Sequence, residues 1–187
     1  MNIAVILAAG SGTRMGNASA PKQFLTIYNK PIVVHTIEQF EMHFDIDEIV
    51  VVTKKDYMEE MKVWIRQYDL SKVHHVVEGG DSRQKSVFNG LSVVKTFAQD
   101  NDIVLIHDSA RPLVNARIIS DNIEGALRYG AVDTVVPSAD TIIHSMNGEK
   151  INDVPVRKEL FLGQTPQSFR FDVIWNAHET ERLRRLT

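Results

Sequence analysis

Asn2-Ile3-Ala4-Val5-Ile6-Leu7-Ala8-Ala9-Gly10-Ser11-Gly12-Thr13-Arg14 is the stretch on which the fold turns. Its front, Ile3–Leu7, is an unbroken apolar run of strand length, as expected of a strand buried on both faces. Its back is a glycine-rich loop ending in a cation. The run from Ile3 to Ala9 is far shorter than the roughly 18–20 residues that span a bilayer. No basic segment precedes it, as one would in a signal peptide. A strand that feeds a ligand loop is the reading that fits.

Outward from this stretch, apolar runs of strand length alternate with amphipathic stretches of helix length. The expected strands are Glu48–Thr53, Val73–Val77, Asp102–His107 and Ala131–Val136. Pro31 can open a helix that carries Val33, Ile37 and Phe40 on one face. Met58, Met61, Ile65 and Tyr68 mark a second helix, Val87, Leu91 and Val94 a third, and Ile118, Ile119, Ile123 and Leu127 a fourth. Strands joined by helices imply an α/β fold with parallel strands, the apolar stripes being core. Near the end the alternation breaks. Thr141–Ser145, Asn147-Gly148 and Lys150–Val154 read as a hairpin with a type I′ turn that projects from the sheet, a candidate dimer contact. Asp172–Thr187 reads as a helix with a basic end.

Composition agrees with one domain over residues 1–187. Hydrophobic residues make up 43% and charged residues 24%, as in ordinary folded domains. The 21 Lys+Arg against 24 Asp+Glu give a net charge of −3. That balance supplies no electrostatic reason for a nucleic-acid partner or an anionic membrane surface. With no cysteine, thiolate catalysis, disulfides and zinc-thiolate sites are excluded, in keeping with a cytoplasmic protein.

Three polar clusters each follow an expected strand, and open parallel sheets bind ligands at the carboxyl ends of their strands. In the first, Gly10 and Gly12 let a backbone approach phosphate oxygens, while Arg14 and Lys22 can stabilise negative charge on a polyphosphate. It is neither a dinucleotide fingerprint nor a Walker loop: Met15 stands where a third glycine belongs, and no Gly-Lys-Ser/Thr follows. The second, Glu78-Gly79-Gly80-Asp81-Ser82-Arg83-Gln84-Lys85-Ser86, offers groups able to read a base edge, or simply a helix start capped by Ser82 or Asp81. The third, Ile106-His107-Asp108-Ser109-Ala110-Arg111-Pro112, ends a strand in a carboxylate. Asp108 is either a magnesium ligand or a structural partner of Arg111 or of a helix N-terminus. The seven histidines are scattered, and none is assigned a role.

These clusters, with Pro21-Lys22-Gln23-Phe24 and the later Gln164-Thr165-Pro166-Gln167, resemble one family in the right order across nearly the whole chain. It is the cytidylyltransferases that include the 2-C-methyl-D-erythritol 4-phosphate and ribitol 5-phosphate enzymes. The resemblance implies a Rossmann-like nucleotidyltransferase fold with a mostly parallel sheet and a projecting β-arm near residues 141–165. It implies a homodimer through that arm, and the use of CTP and Mg²⁺ to make a CDP-polyol and pyrophosphate. By the same resemblance Arg14 and Lys22 are the catalytic stabilisers. Leu7, Ala8, Ala9, Gly10, Ser11, Gly12 and Thr13 belong to the nucleotide site, as do Gly80, Asp81, Ser86 and Ser109. Asp108 holds the metal, and Arg157 positions the second substrate with Arg111, Thr141 and Thr165.

Ser109 and the run from Asn147 to Phe169 resemble the ribitol type, which implies D-ribitol 5-phosphate as acceptor, with 2-C-methyl-D-erythritol 4-phosphate as the alternative. Family members continue with a further strand and helix. The short C-terminus keeps open a CTP-binding module with little turnover.

Overall fold

The apolar runs become neighbours in one sheet. The computed structural model of the protein describes residues 1–10 and 21–184. β1 (Asn2–Ala8) is followed by a small hairpin of β2 (Thr26–Ile27) and β3 (Lys30–Pro31), whose turn residues Tyr28 and Asn29 both have positive φ. Then come α1 (Ile32–Glu41), β4 (Glu48–Thr53), α2 (Met58–Gln67), β5 (Val73–Glu78) and α3 (Arg83–Val94). The chain continues through β6 (Ile103–Asp108), α4 (Ala116–Tyr129), β7 (Ala131–Pro137), β8 (Phe161–Arg170) and α5 (Phe171–Arg184). The strand order is β5-β4-β1-β6-β8-β7. The first four strands are parallel, and β8 runs antiparallel to both of its neighbours.

Period-2 alternation divides the side chains of the buried strands between two cores. Ala4, Ile6, Ile49, Val51 and Leu105 meet α1, α2 and α4 on one face, where Val33, Ile37, Phe40 and Met61 are buried. Val5, Val50, Val52, Val104 and Ile106 meet α3 on the other, joined by Phe171 at the start of α5. Fully burying one such side chain stabilises the fold by about 1.5–3 kcal/mol. α3 is capped by Ser82, whose Oγ accepts the Lys85 N–H at 3.1 Å, and α4 by Asn115, which accepts from the Ile118 N–H at 3.0 Å. Gly130 ends α4 at φ +80°, a left-handed position that glycine adopts without steric cost. No helix among the described residues is long and apolar enough to cross a membrane.

Three expectations are corrected. Leu127, expected in the core stripe of α4, is 64% exposed, because the buried line of that helix runs through Ile119, Ile123 and Ala126. The Asn147-Gly148 hairpin is a loop with a single bridge, His144 to Asp153. Its turn is not type I′, since Gly148 has positive φ and Asn147 does not. Asn147 Oδ1 instead accepts the Glu149 and Lys150 N–H groups at 3.1 and 3.3 Å, an Asx-type turn made by the side chain. Finally, residues 161–165 do not belong to the projecting arm. They open β8, a sheet strand that the sequence reading missed.

Candidate active site

After β1 the chain winds outward through β4 and β5, then returns across β1 to lay down β6 on its other side. The loops leaving β1 and β6 therefore part company, and the gap between them is where an open α/β sheet binds its ligand. Leu7 and Asp108 are register partners at that gap.

The β1 side of the gap is built on a buried amide. Gln23 is 2% exposed, and its Nε2 donates to the carbonyls of Ala8 at 2.7 Å and Gly10 at 2.8 Å. The departure of the backbone from β1 is thereby fixed, with Ala9 between the two anchors. Among the described residues, a Cβ at Gly10 would meet nothing within 4 Å. Phe24 stacks on Tyr57 with centroids 4.0 Å apart, which anchors the short helical turn that carries the exposed Lys22. Ser11, Gly12, Thr13 and Arg14 lie outside the described residues.

The segment after β5 leans on that loop. Gly79 donates its N–H to the Thr53 carbonyl at 2.8 Å. A Cβ on Gly79 would stand 2.3 Å from Ala9 Cβ, so only glycine lets the two loops touch. Ser86 is buried. Its hydroxyl donates to the Ser82 carbonyl at 2.9 Å and accepts the Gly80 N–H at 3.1 Å, so it shapes the loop from within. Asp81 is exposed at the loop's crest.

At the end of β6, Asp108 is the centre of a polar cluster. Arg111 Nε donates to its Oδ2 at 3.2 Å, and an Arg83 guanidinium nitrogen lies 3.6 Å from its Oδ1. Of the two structural partners weighed from the sequence, Arg111 is the one formed. Arg83 also donates to Gln167 Oε1 at 3.1 Å, and Arg111 donates to Gln164 Oε1. Two guanidinium groups around one carboxylate leave the cluster net positive, suited to a phosphate-rich ligand.

β8 supplies the rest through an irregularity. Its pairing with β7 jumps from Gln167 opposite Asp133 to Gly163 opposite Val135, so Gln164, Thr165 and Pro166 together face only Thr134. The excess residues are thrown out of the ladder at the end of β6, as bulges do beside active sites. Thr165 Oγ1 consequently accepts the Asp108 N–H at 3.2 Å, and Gln164 reaches Arg111. Ser109 is buried; its N–H donates to the Leu7 carbonyl at 3.0 Å.

The structure thus brings together Leu7, Asp108, Ser109, Arg111 and Thr165, and beside them Ala9 with the Gly79–Ser86 loop. It does not bring Thr141 or Arg157 to this cluster. Thr141 is exposed on the arm, and Arg157 meets only the Ala139 carbonyl, at 3.4 Å, among the described residues. Sequence reasoning missed Gln23 and Arg83 as working parts, although both stand inside the quoted motifs.

Comparison with known proteins follows this geometry. The family model described as IspD, 2-C-methyl-D-erythritol 4-phosphate cytidylyltransferase, matches residues 2–186. The chain is 43% identical to a ribitol-5-phosphate cytidylyltransferase of Lactiplantibacillus plantarum, over 97% of its own length and 80% of the relative's. Among solved structures it resembles the 4-diphosphocytidyl-2C-methyl-D-erythritol synthase of Anaerococcus prevotii, with TM-score 0.83, 27% identity and coverage of 98% and 75%. It also resembles the 2-C-methyl-D-erythritol 4-phosphate cytidylyltransferase of Thermus thermophilus, with TM-score 0.71, 27% identity and coverage of 100% and 79%. The α/β nucleotidyltransferase fold, the strand-end site and the match along almost all of its length agree, and the chain belongs to the IspD family of cytidylyltransferases.

Proposed function

We propose that the protein transfers the cytidylyl group of CTP to D-ribitol 5-phosphate, giving CDP-ribitol and pyrophosphate. The observation that carries the choice of acceptor is the 43% identity to a ribitol-5-phosphate cytidylyltransferase, against 26–30% for the structural neighbours named for the methylerythritol reaction. The gap between β1 and β6, with the Gln23-anchored backbone leaving β1 and the paired guanidinium groups of Arg83 and Arg111, supports the same reaction class.

The acceptor is a phosphate monoester whose second pKa is about 6, so it is largely dianionic near neutral pH and needs no general base. One of its oxygens attacks the α-phosphorus of CTP, a new phosphoanhydride bond forms, and the bond to the β-phosphate breaks with its electrons leaving on pyrophosphate. The obstacle is repulsion between two anions. Lys22, together with Arg14, stabilises the charge that develops on the reacting phosphoryl group. The backbone of residues 7–10 and the Gly80–Ser86 loop, with Asp81, receive the nucleotide, and Ser109 lies under its ribose. Arg111 and Thr165 receive the acceptor phosphate.

Asp108, a part-exposed carboxylate at a strand end, would hold Mg²⁺ by exchanging its Arg83 and Arg111 contacts for the ion, which takes one or two carboxylates and completes its shell with water and phosphate oxygens. Among the described residues no group of three or more metal-ligating side chains competes for that role. When bound, the ion supplies further neutralisation of the triphosphate.

The arm supports a homodimer. Ile143, Met146, Ile151 and Val156 are exposed on it, beside exposed Val136 and Phe161 at the ends of β7 and β8. An apolar surface of this kind is characteristic of protein–protein contact. Thr141 and Arg157, remote from the cluster in their own chain's contacts, act on the acceptor from a partner copy. The absence of cysteine supports a cytoplasmic setting.

The test offers both polyol phosphates with each of the four nucleoside triphosphates and measures pyrophosphate and the CDP product. CTP with ribitol 5-phosphate gives the fastest release. Faster turnover of the methylerythritol substrate, or CTP binding without release, overturns the proposal.

A further inference from the structure

Beneath the loop that follows β6 lies a layer of buried polar side chains that the reaction does not touch. The backbone of residues 108–111 is held at five points. The Asp108 N–H donates to Thr165 Oγ1 at 3.2 Å, and the Ser109 N–H to the Leu7 carbonyl at 3.0 Å. The Arg111 N–H closes the turn on the Asp108 carbonyl at 3.1 Å. The remaining two holds come from side chains of the core. Thr36, in the middle of α1, donates its Oγ1 hydrogen to the Ser109 carbonyl at 2.7 Å. His107, the residue before Asp108, has Nε2 3.1 Å from the Arg111 carbonyl.

Both are wholly buried on the face of the sheet covered by α1. A carbonyl can only accept, so the His107 ring carries its hydrogen on Nε2. Its Nδ1 has no partner among the described residues, and the ring is tilted against Phe40 at 5.1 Å. A histidine in this place leaves one buried ring nitrogen unsatisfied, a cost that phenylalanine or leucine would avoid. The compensating feature is the single bond to Arg111, which fixes the peptide from which the Arg111 guanidinium reaches Asp108 and Gln164.

We propose that His107 and Thr36 are positioning residues with separate addresses, His107 setting Arg111 toward the polyol phosphate and Thr36 setting Ser109 toward the nucleotide. The assignment rests on the proposed reaction, in which Arg111 serves the acceptor and Ser109 the nucleotide.

The experiment is steady-state kinetics of the full chain with each substrate varied in turn, beside thermal unfolding and a CTP-binding titration. His107→Leu raises KM for ribitol 5-phosphate about three- to tenfold, the scale of one lost neutral hydrogen bond, and leaves KM for CTP unchanged. His107→Gln, whose amide nitrogen reaches the place of Nε2, restores the wild-type value. Thr36→Val raises KM and Kd for CTP by a similar factor and leaves the acceptor KM unchanged, and Thr36→Ser restores it. Both KM values rising together, or neither rising, overturns the proposal. Should His107→Leu fail to fold, His107→Asn, whose amide stops short at the place of Nδ1, takes its part against His107→Gln under the same two outcomes. A wild-type protein that forms no CDP-ribitol instead sinks the acceptor reading. The Thr36 pair then still decides the nucleotide address through CTP binding.

Discussion

The two halves of the one sheet are built to different rules. In β5-β4-β1-β6, helices cover both faces, and Ile3 to Ile6, Ile49 to Val52 and Val104 to Leu105 are wholly buried. In β8-β7 one face is covered by α4, the other is reached only at β8 by α5, and Val135, Val136, Phe161 and Leu162 stay open to solvent. Parallel strands need burial on both sides, whereas antiparallel strands tolerate a free face. The lesson is a division of labour. The parallel half is buried on both faces and carries the strand-end loops, while the antiparallel half leaves an apolar surface that the proposed dimer would close.

Substitutions that separate the halves sharpen this contrast, beginning with the largest effect. Leu105→Ala, in the buried half, removes side-chain atoms from a packed core and costs about 2–5 kcal/mol. At this chain length that corresponds to a melting temperature lower by roughly 5–15 °C in calorimetry. A loss below about 1 kcal/mol would break the claim that this half is packed tightly on both faces.

Next comes a pH effect from the same half. Burial holds the His107 imidazole at about 4, against 6.5 when free. Between those values the unfolded chain binds a proton that the folded chain refuses, so stability rises with pH there. The contribution is complete above pH 6.5 and declines as pH falls toward 4, by up to about 3 kcal/mol. Denaturant midpoints measured across that window in wild type and in His107→Gln should differ in slope, the variant being flatter.

Lys22→Ala, on the loop leaving the buried half, lowers kcat at least about a hundredfold, the scale of one lost electrostatic donor, with unfolding unchanged. Arg14→Ala does the same. Unchanged turnover in both would remove the catalytic assignment. The smallest effect belongs to the other half. Ile151 is 64% exposed on the arm, so Ile151→Ser shifts the stability of the single chain by no more than about 0.5 kcal/mol. Sedimentation should nevertheless detect weaker self-association.

The same division decides what could be read from the residues alone. β1, β4 and β6 announce themselves as apolar runs because both their faces are buried, and the loops after β1 and β6, with the one after β5, carry the quoted motifs. β8 does not. Gln164, Thr165 and Gln167 are polar, and Pro166 lacks an N–H and argues against a central strand. Yet the segment pairs on both sides, because its proline falls within the bulge, where no ladder bond is required of it. Gln23 was legible only as a letter after Lys22. That its amide is buried and ties two carbonyls of the first loop depends on how the helical turn packs against Tyr57. His107 gave no signal, since one histidine in an apolar run reads as core. The arm's turn was misread because Asn-Gly suits a tight hairpin only when both residues adopt positive φ.

Pro137 at the end of β7 and Phe161 at the start of β8 are register partners, and the Ser138 N–H donates to the Leu160 carbonyl at 3.0 Å. The whole excursion therefore departs and rejoins at adjoining rungs. Because closure entropy grows only slowly with length, an excursion rooted in this way can be lengthened, trimmed or exchanged without disturbing the strands beneath it. Residues can therefore be gained or lost on the arm while β7, β8 and the loops at the ends of β1 and β6 keep their register.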